Sequence, residues 1–238
     1  MYAGCTNLTL LAIPFYILMG NLMNESGVSS KLYKFARVMV GHLWGGLAHA
    51  DILTCTVMAG MSGSAVAEAA SIGMIAIPEM EKAGYENKFS AAITAAAATL
   101  GPVIPPSIAF VIYATLSGAS TASLFMAGVI PGVLTAIALM IAAAFISNKR
   151  GYRRLPKTSW RQRWDAFKEA FLALMTVVII LIGITTGWFT VTEAAVIAAL
   201  WAAFLGLFVY QTIKVKDIFR ILWATTNSSC TVMMIMGI

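Results

Sequence analysis

The sequence predicts an all-α, polytopic membrane protein with a re-entrant helical hairpin and a proline-broken transmembrane helix. Three observations carry that prediction. The 238 residues are 60% hydrophobic and only 11% charged, with a mean hydropathy of +0.84, which is the composition of a membrane chain and not of a water-soluble domain. The charges gather into four clusters, Lys31 to Arg37, Glu79 to Lys88, Lys149 to Lys168 and Lys214 to Arg220. Finally, two apolar stretches are broken by small or helix-breaking residues, Gly60-Met61-Ser62-Gly63-Ser64 and Gly101-Pro102-Val103-Ile104-Pro105-Pro106-Ser107.

Taken in order, residues 1–238 read as one transmembrane domain. An apolar span from Asn7 to Met23 leads into Ser29 to Val40, where basic and apolar residues alternate with helical spacing, an amphipathic arm at the membrane interface. Each charged cluster is expected to be cytoplasmic, because Lys and Arg accumulate there; the net charge of +6 is assigned to these loops and not to nucleic acid. The charge-poor turns Ser117 to Ser123 and Thr185 to Glu193 then face outward. This leaves residues 42–79 starting and ending on one side. Its apolar run of about 36 residues, at ~1.5 Å each, crosses ~30 Å of hydrocarbon and returns only as two short helices or as a re-entrant hairpin. Gly60 to Ser64 supplies the permissive residues for a reversal near the middle. Residues 88–147 hold the broken helix and the next crossing, 148–168 a basic cytoplasmic loop, and 169–238 further transmembrane helices. Both ends of the chain fall inside apolar spans, which predicts a fragment of a longer protein.

The two breaks point to chemistry. Proline removes backbone donors, and hydrocarbon tolerates loose carbonyls only where they are buried or line a polar cavity. If the hairpin tip and the broken helix meet at one depth, carbonyls around Ser62, Gly63, Gly101 and Val103, with the hydroxyls of Ser62, Ser64 and Ser107, form an oxygen-lined pocket suited to Na+. Either break taken alone would signify only a kink or close helix packing. Three ionisable residues stand outside the clusters and termini. Asp51 is expected near the cytoplasmic mouth, facing water or capping a helix. Glu193 is expected to cap a helix N-terminus. Glu68, about a turn beyond the tip with no basic residue at its depth, is expected to shape the ion pocket from behind its ligands. No Arg or Lys lies at membrane depth, so a substrate carboxylate would be held here by backbone donors, helix N-termini, hydroxyls and the ion.

The segments AIPFYILMGNLM (Ala12 to Met23), GMSGSAVAEAASIG (Gly60 to Gly73), GPVIPPSIAFVIYA (Gly101 to Ala114), LFMAGVIPG (Leu124 to Gly132) and GWFTVTEAA (Gly187 to Ala195) resemble the large membrane subunit of tripartite ATP-independent periplasmic (TRAP) transporters. The resemblance implies the first half of an inverted-repeat, elevator-type transporter in the bacterial inner membrane. It implies sodium-coupled import of organic acids of the C4-dicarboxylate or sugar-acid type. A periplasmic substrate-binding protein would deliver the acid, and a small membrane subunit would serve as scaffold. Ser62, Gly63, Ser64, Pro105, Pro106 and Ser107 become the candidate substrate contacts, and Ser62, Gly63, Ser64, Gly101 and Val103 the candidate Na+ ligands, with Glu68 behind them. No organic cofactor is expected. Two departures stand out: the family usually has proline where Val191 stands, and its second repeat is absent, so this segment is expected to hold one half-site and not to transport alone.

Weaker features receive quieter readings. His42 and His49 lack an acidic pair and are assigned no metal. Cys5, Cys55 and Cys230 form no CxxC pair and read as small apolar residues. Lys149 to Arg163 with Trp160 and Trp164 reads as a lipid-headgroup anchor. One rival belongs to another class: Gly60-Met61-Ser62-Gly63 matches the GxSG motif of rhomboid-like intramembrane serine proteases. That chemistry needs a histidine beside the serine, and both histidines precede Ser62, His49 being ~20 Å away along a helix. An ion-coupled anion carrier outside the TRAP group is the other alternative, and the chain is read as not an enzyme.

Overall fold

The computed structural model describes residues 8–152 and 154–237. Among them the regular structure is entirely helical. A 3-10 turn, Leu8–Leu11, opens onto α1 (Ala12–Glu25), followed by α2 (Val28–Val40), α3 (Gly46–Ser62), α4 (Ala65–Lys82), α5 (Asn87–Ala98), α6 (Ile108–Ser117), α7 (Thr121–Lys149), α8 (Trp160–Thr185), α9 (Val191–Phe204) with a π turn at Leu205–Val209, and α10 (Val215–Gly237). Of the described helices, α7, α8 and α9 with its π turn are long and apolar enough to cross a membrane. Cys5 lies outside the described residues.

The centre of the bundle is α3, which packs against α1, α2, α4, α5, α7 and α8. Its side chains are buried on nearly every face, as expected of a helix whose sequence is apolar and small all round. The amphipathic arm is α2. Its apolar face, Val28, Leu32, Tyr33 and Ala36, is buried against α3 and α8, so the arm packs on protein while its basic residues point outward.

Ion pairs gather the charged clusters at one end. Lys34 pairs with Glu169 at 2.9 Å, Arg37 with Glu79 at 2.6 Å and Arg220 with Glu25 at 2.8 Å, while Arg150 pairs with Glu86. Exposed pairs of this kind add ~0–1 kcal/mol each, so their value is topological. Both ends of the α3–α4 hairpin lie here: Gly45 abuts Ser147 at the end of α7, and Glu79 in the last turn of α4 holds Arg37. The hairpin leaves the charged end and returns to it. At the opposite end the two charge-poor turns meet around a cavity of about 500 Å³ lined by Leu11, Ser120, Thr121, Thr190 and Val191. The basic stretch 148–168 divides at Ser159, whose amide donates to Gln162 Oε1 at 3.1 Å as α8 begins.

The structure also accounts for Val191. It is the first residue of α9, behind the N-cap Thr190, whose hydroxyl accepts from the Glu193 amide at 3.3 Å while its own amide donates to Glu193 Oε2 at 2.8 Å. Glu193 thus closes a capping box, as its position after two threonines suggests. The first helical position makes no intrahelical N–H bond, and proline is favoured there. Val191→Pro is therefore expected to leave the turn intact and to hold or raise stability by up to ~1 kcal/mol through the unfolded chain; a fall of several degrees in the Tm of the detergent-purified transporter would contradict this.

Candidate functional site: the hairpin tip against the broken helix

The tip is built from three residues. Helix α3 ends at Ser62; Gly63 takes a left-handed conformation (φ +59°) that glycine adopts without strain, and Ser64 caps α4 by accepting from the Ala67 amide at 3.4 Å. Gly63 is needed for space as well. A Cβ there would stand 2.9 Å from the Pro106 carbonyl oxygen.

The break replaces a turn of helix with open backbone. Past Ala98 the amides of Gly101, Val103 and Ile104 still bond back to Ala98 and Leu100; the next backbone bond runs from the Val111 amide to the Ser107 carbonyl. The carbonyls between lie outside the helical ladder, as the three prolines require. Ser107 takes up one of them, donating from its hydroxyl to the Pro102 carbonyl at 2.6 Å, while that hydroxyl also accepts from the Phe110 amide at 3.4 Å to cap α6.

Tip and break are in contact. Besides Gly63 against Pro106, a Cβ on Gly101 would lie 2.9 Å from Glu68 Oε1 and 3.1 Å from the Ala65 amide nitrogen, so only glycine lets the two backbones approach this closely. Glu68 is fully buried. Its Oε1 accepts from the Ser62 hydroxyl at 2.6 Å, and its Oε2 has no hydrogen-bond partner among the described residues. Four helix ends therefore share one locus: the C-termini of α3 and α5, which favour a cation, and the N-termini of α4 and α6, which favour an anion.

Of the residues singled out from sequence, Ser62, Gly63, Ser64, Glu68, Gly101, Pro106 and Ser107 are brought together. The Pro105 carbonyl lies beside Gly60, 3.5 Å from where a Cβ would stand, and the Val103 carbonyl is turned toward Gly128 of α7. Next to the tip is a cavity of about 170 Å³ whose polar lining is Asn21, Ser62, Ser64 and Ser228, with Gly20 and Ile108 beside them. Sequence reasoning missed Asn21 and Ser228. The Asn21 amide donates to the Thr225 hydroxyl at 3.0 Å, and an isolated asparagine in an apolar span was the signal available.

Other expectations need correction or placement. Asp51 neither faces water nor caps a helix: it is fully buried within α3, its carboxylate accepting from the Thr94 hydroxyl of α5 at 2.6 Å and from Cys55 Sγ at 3.9 Å. The burial follows from α3 being enclosed by its neighbours. Cys55 is buried and Cys230 exposed. Among the described residues no group of three His, Cys, Asp or Glu side chains is placed to hold a metal. The partner of the Ser62 hydroxyl is a carboxylate, not the imidazole a serine protease uses.

Comparison with known proteins gives a consistent picture. The family model described as "Tripartite ATP-independent periplasmic transporter, DctM component" matches residues 1–237. The chain is 46% identical to the sialic acid TRAP transporter large permease protein SiaM of Vibrio cholerae, over 100% of this chain and 56% of that protein. It is 44% identical to the sialic acid TRAP transporter permease protein SiaT of Haemophilus influenzae, over 89% of this chain and 34% of that protein. With the C4-dicarboxylate TRAP transporter large permease protein DctM of Rhodobacter capsulatus it shares 39% identity, over 99% of this chain and 57% of that protein. The chain thus spans about half the length of two of these relatives and a third of the other.

Proposed function

Because the chain belongs to the DctM component family of tripartite ATP-independent periplasmic transporters, a family of integral membrane transport proteins and not of enzymes, we propose that it forms one half of the transport site of a sodium-coupled importer of organic acids. The observation that carries this reading is the convergence of two helix C-termini and two helix N-termini around the buried, half-partnered Glu68 carboxylate. A buried carboxylate without a positive partner is costly. Carbonyl oxygens of Ser62, Gly63 and Gly101, with the Ser62 and Ser64 hydroxyls, would hold Na+ there, Glu68 standing behind them; the Val103 carbonyl, facing α7, is further from this set. The ion supplies positive charge in a region that has no Arg or Lys.

On the other side of the same tip, the N-termini of α4 and α6, capped by Ser64 and Ser107, meet the serine- and asparagine-lined cavity. A substrate carboxylate would be held by these amides and hydroxyls. Its volume, about 170 Å³, is below the ~300–1,000 Å³ of drug-sized pockets and suits a small acid of the C4-dicarboxylate type; a sugar acid would extend beyond it. Closing of the hairpin on the broken helix would complete this surface, and the loaded body would move against a scaffold, giving alternating access. The α3–α4 segment, leaving and returning to the charged end, would be re-entrant in the bilayer, with the charged end cytoplasmic. Delivery by a periplasmic binding protein, scaffolding by a small membrane subunit, anchoring of the exposed Trp160 and Trp164 among lipid headgroups, and residence in a bacterial inner membrane complete the reading.

The test is uptake into proteoliposomes. The full-length transporter, reconstituted with its small subunit and binding protein, is expected to accumulate succinate or sialic acid under an inward Na+ gradient and not under a matching K+ gradient. Equal uptake in K+, or sodium-driven uptake by the 238-residue segment alone, would overturn the proposal.

A further inference from the structure

Beside the tip cavity runs a second, wider groove of about 390 Å³ between α1, α4 and α10. Its polar lining is Asn21, Asn24, Glu25, Ser71 and Arg220. Asn21 and Ala67 line both spaces, so the groove continues from the hairpin tip. It reaches the charged end of the molecule, where Arg220 and Glu25 meet at 2.8 Å. Arg220 supplies the one basic side chain in the lining of either space. It lies in the second turn of α10, within the charged cluster Lys214 to Arg220, and lines the mouth of the groove with a largely exposed side chain.

We propose that this groove is the inward path of the transported anion and that Arg220 is a second carboxylate station at its mouth, exchanging Glu25 for the substrate's carboxylate. The proposal rests on the tip cavity being the substrate site. Arg220 lies eight residues before Ser228, about 12 Å along α10, so a four-carbon acid held at the tip does not reach it; the station is a separate stop. The Arg220 and Glu25 side chains are 65% and 44% exposed, and an ion pair so hydrated holds its partners weakly. Asp217 lies 3.8 Å from the same guanidinium. Arg220 is therefore flanked by two competing carboxylates, an environment in which a guanidinium exchanges one carboxylate for another and does not trap the incoming one. Its planar fork accepts any of them with paired N–H donors. Asn24, Asn21 and Ser71 continue the polar track between the two stops.

The experiment uses the full-length transporter in a cysteine-free background, in inside-out membrane vesicles, with the anionic thiol reagent methanethiosulfonate ethylsulfonate. Ser71→Cys reports the groove, Ser64→Cys the tip, and Phe219→Cys the exposed opposite side of α10. Ser71→Cys is expected to be labelled, and succinate and sialic acid, tried in turn, to slow its labelling with the transported one effective. Adding Arg220→Gln leaves Glu25 and Asp217 without their counter-charge at the mouth, so it should slow labelling by the anionic reagent severalfold by like-charge repulsion and remove most of the protection, while Phe219→Cys is unchanged. No labelling of Ser71→Cys, or labelling and protection indifferent to Arg220→Gln, would overturn the proposal. If neither acid protects Ser64→Cys, the tip reading fails in its own right; protection at Ser64→Cys without protection at Ser71→Cys defeats the groove alone.

Discussion

Gly63→Val is expected to abolish substrate uptake while the transporter still inserts and purifies. Two effects act together. At φ +59° a β-branched residue is strained by ~1–2 kcal/mol or more, and its Cβ would meet the Pro106 carbonyl at 2.9 Å. Relief requires the tip to withdraw from the broken helix, which separates the α3 C-terminus and α4 N-terminus from the α5 C-terminus and α6 N-terminus. Transport should fall below detection in proteoliposomes, whereas the packing of α1 on α9 and of α2 on α8, which does not run through Gly63, should preserve a monodisperse peak on size exclusion. Uptake near the parent level would show that close contact of tip and break is not needed.

Glu68→Gln is expected to raise the Na+ concentration for half-maximal uptake roughly tenfold, equivalent to about 1.4 kcal/mol, with a smaller change in the apparent affinity for the acid. The amide keeps the volume and accepts from the Ser62 hydroxyl, but it could not supply the negative charge that would stabilise a cation at the carbonyls in front of it. The Oε2 of Glu68, buried without a hydrogen-bond partner among the described residues, is the atom such a cation would be drawn toward. An unchanged sodium dependence would confine Glu68 to fixing the Ser62 hydroxyl.

The parts of this site that were legible in the sequence are those whose chemistry is local. Glycine, serine and proline inside apolar spans announce a reversal at Ser62 to Ser64 and a broken helix at Gly101 to Ser107 without reference to anything else in the chain, and counting residues from the charged clusters placed the two at comparable depth. Thr190 and Glu193 are three residues apart, so their reciprocal cap was legible too. What the sequence hid depends on partners far along the chain. Asn21 meets Thr225 across 204 residues, so the asparagine stood out in its apolar span but nothing local showed that it lines the tip cavity. Asp51 was misplaced because its distance from Ser62 along α3 was read as depth toward water, whereas α5 covers that face and presents Thr94 to it. Arg220 was read only as part of its cluster because the groove it lines is completed by α1 and α4, far along the chain.

Whether hairpin tip and broken helix together hold a cation can be read from thermal unfolding of the purified full-length transporter in NaCl against KCl at equal ionic strength. A ligand that binds only the folded state stabilises it by RT ln(1 + [L]/Kd), about 2.7 kcal/mol at a hundredfold excess over Kd. A sodium-specific rise in Tm is expected that grows with concentration, shrinks in Glu68→Gln and vanishes in Gly63→Val. The same Tm in both salts at every concentration would contradict it.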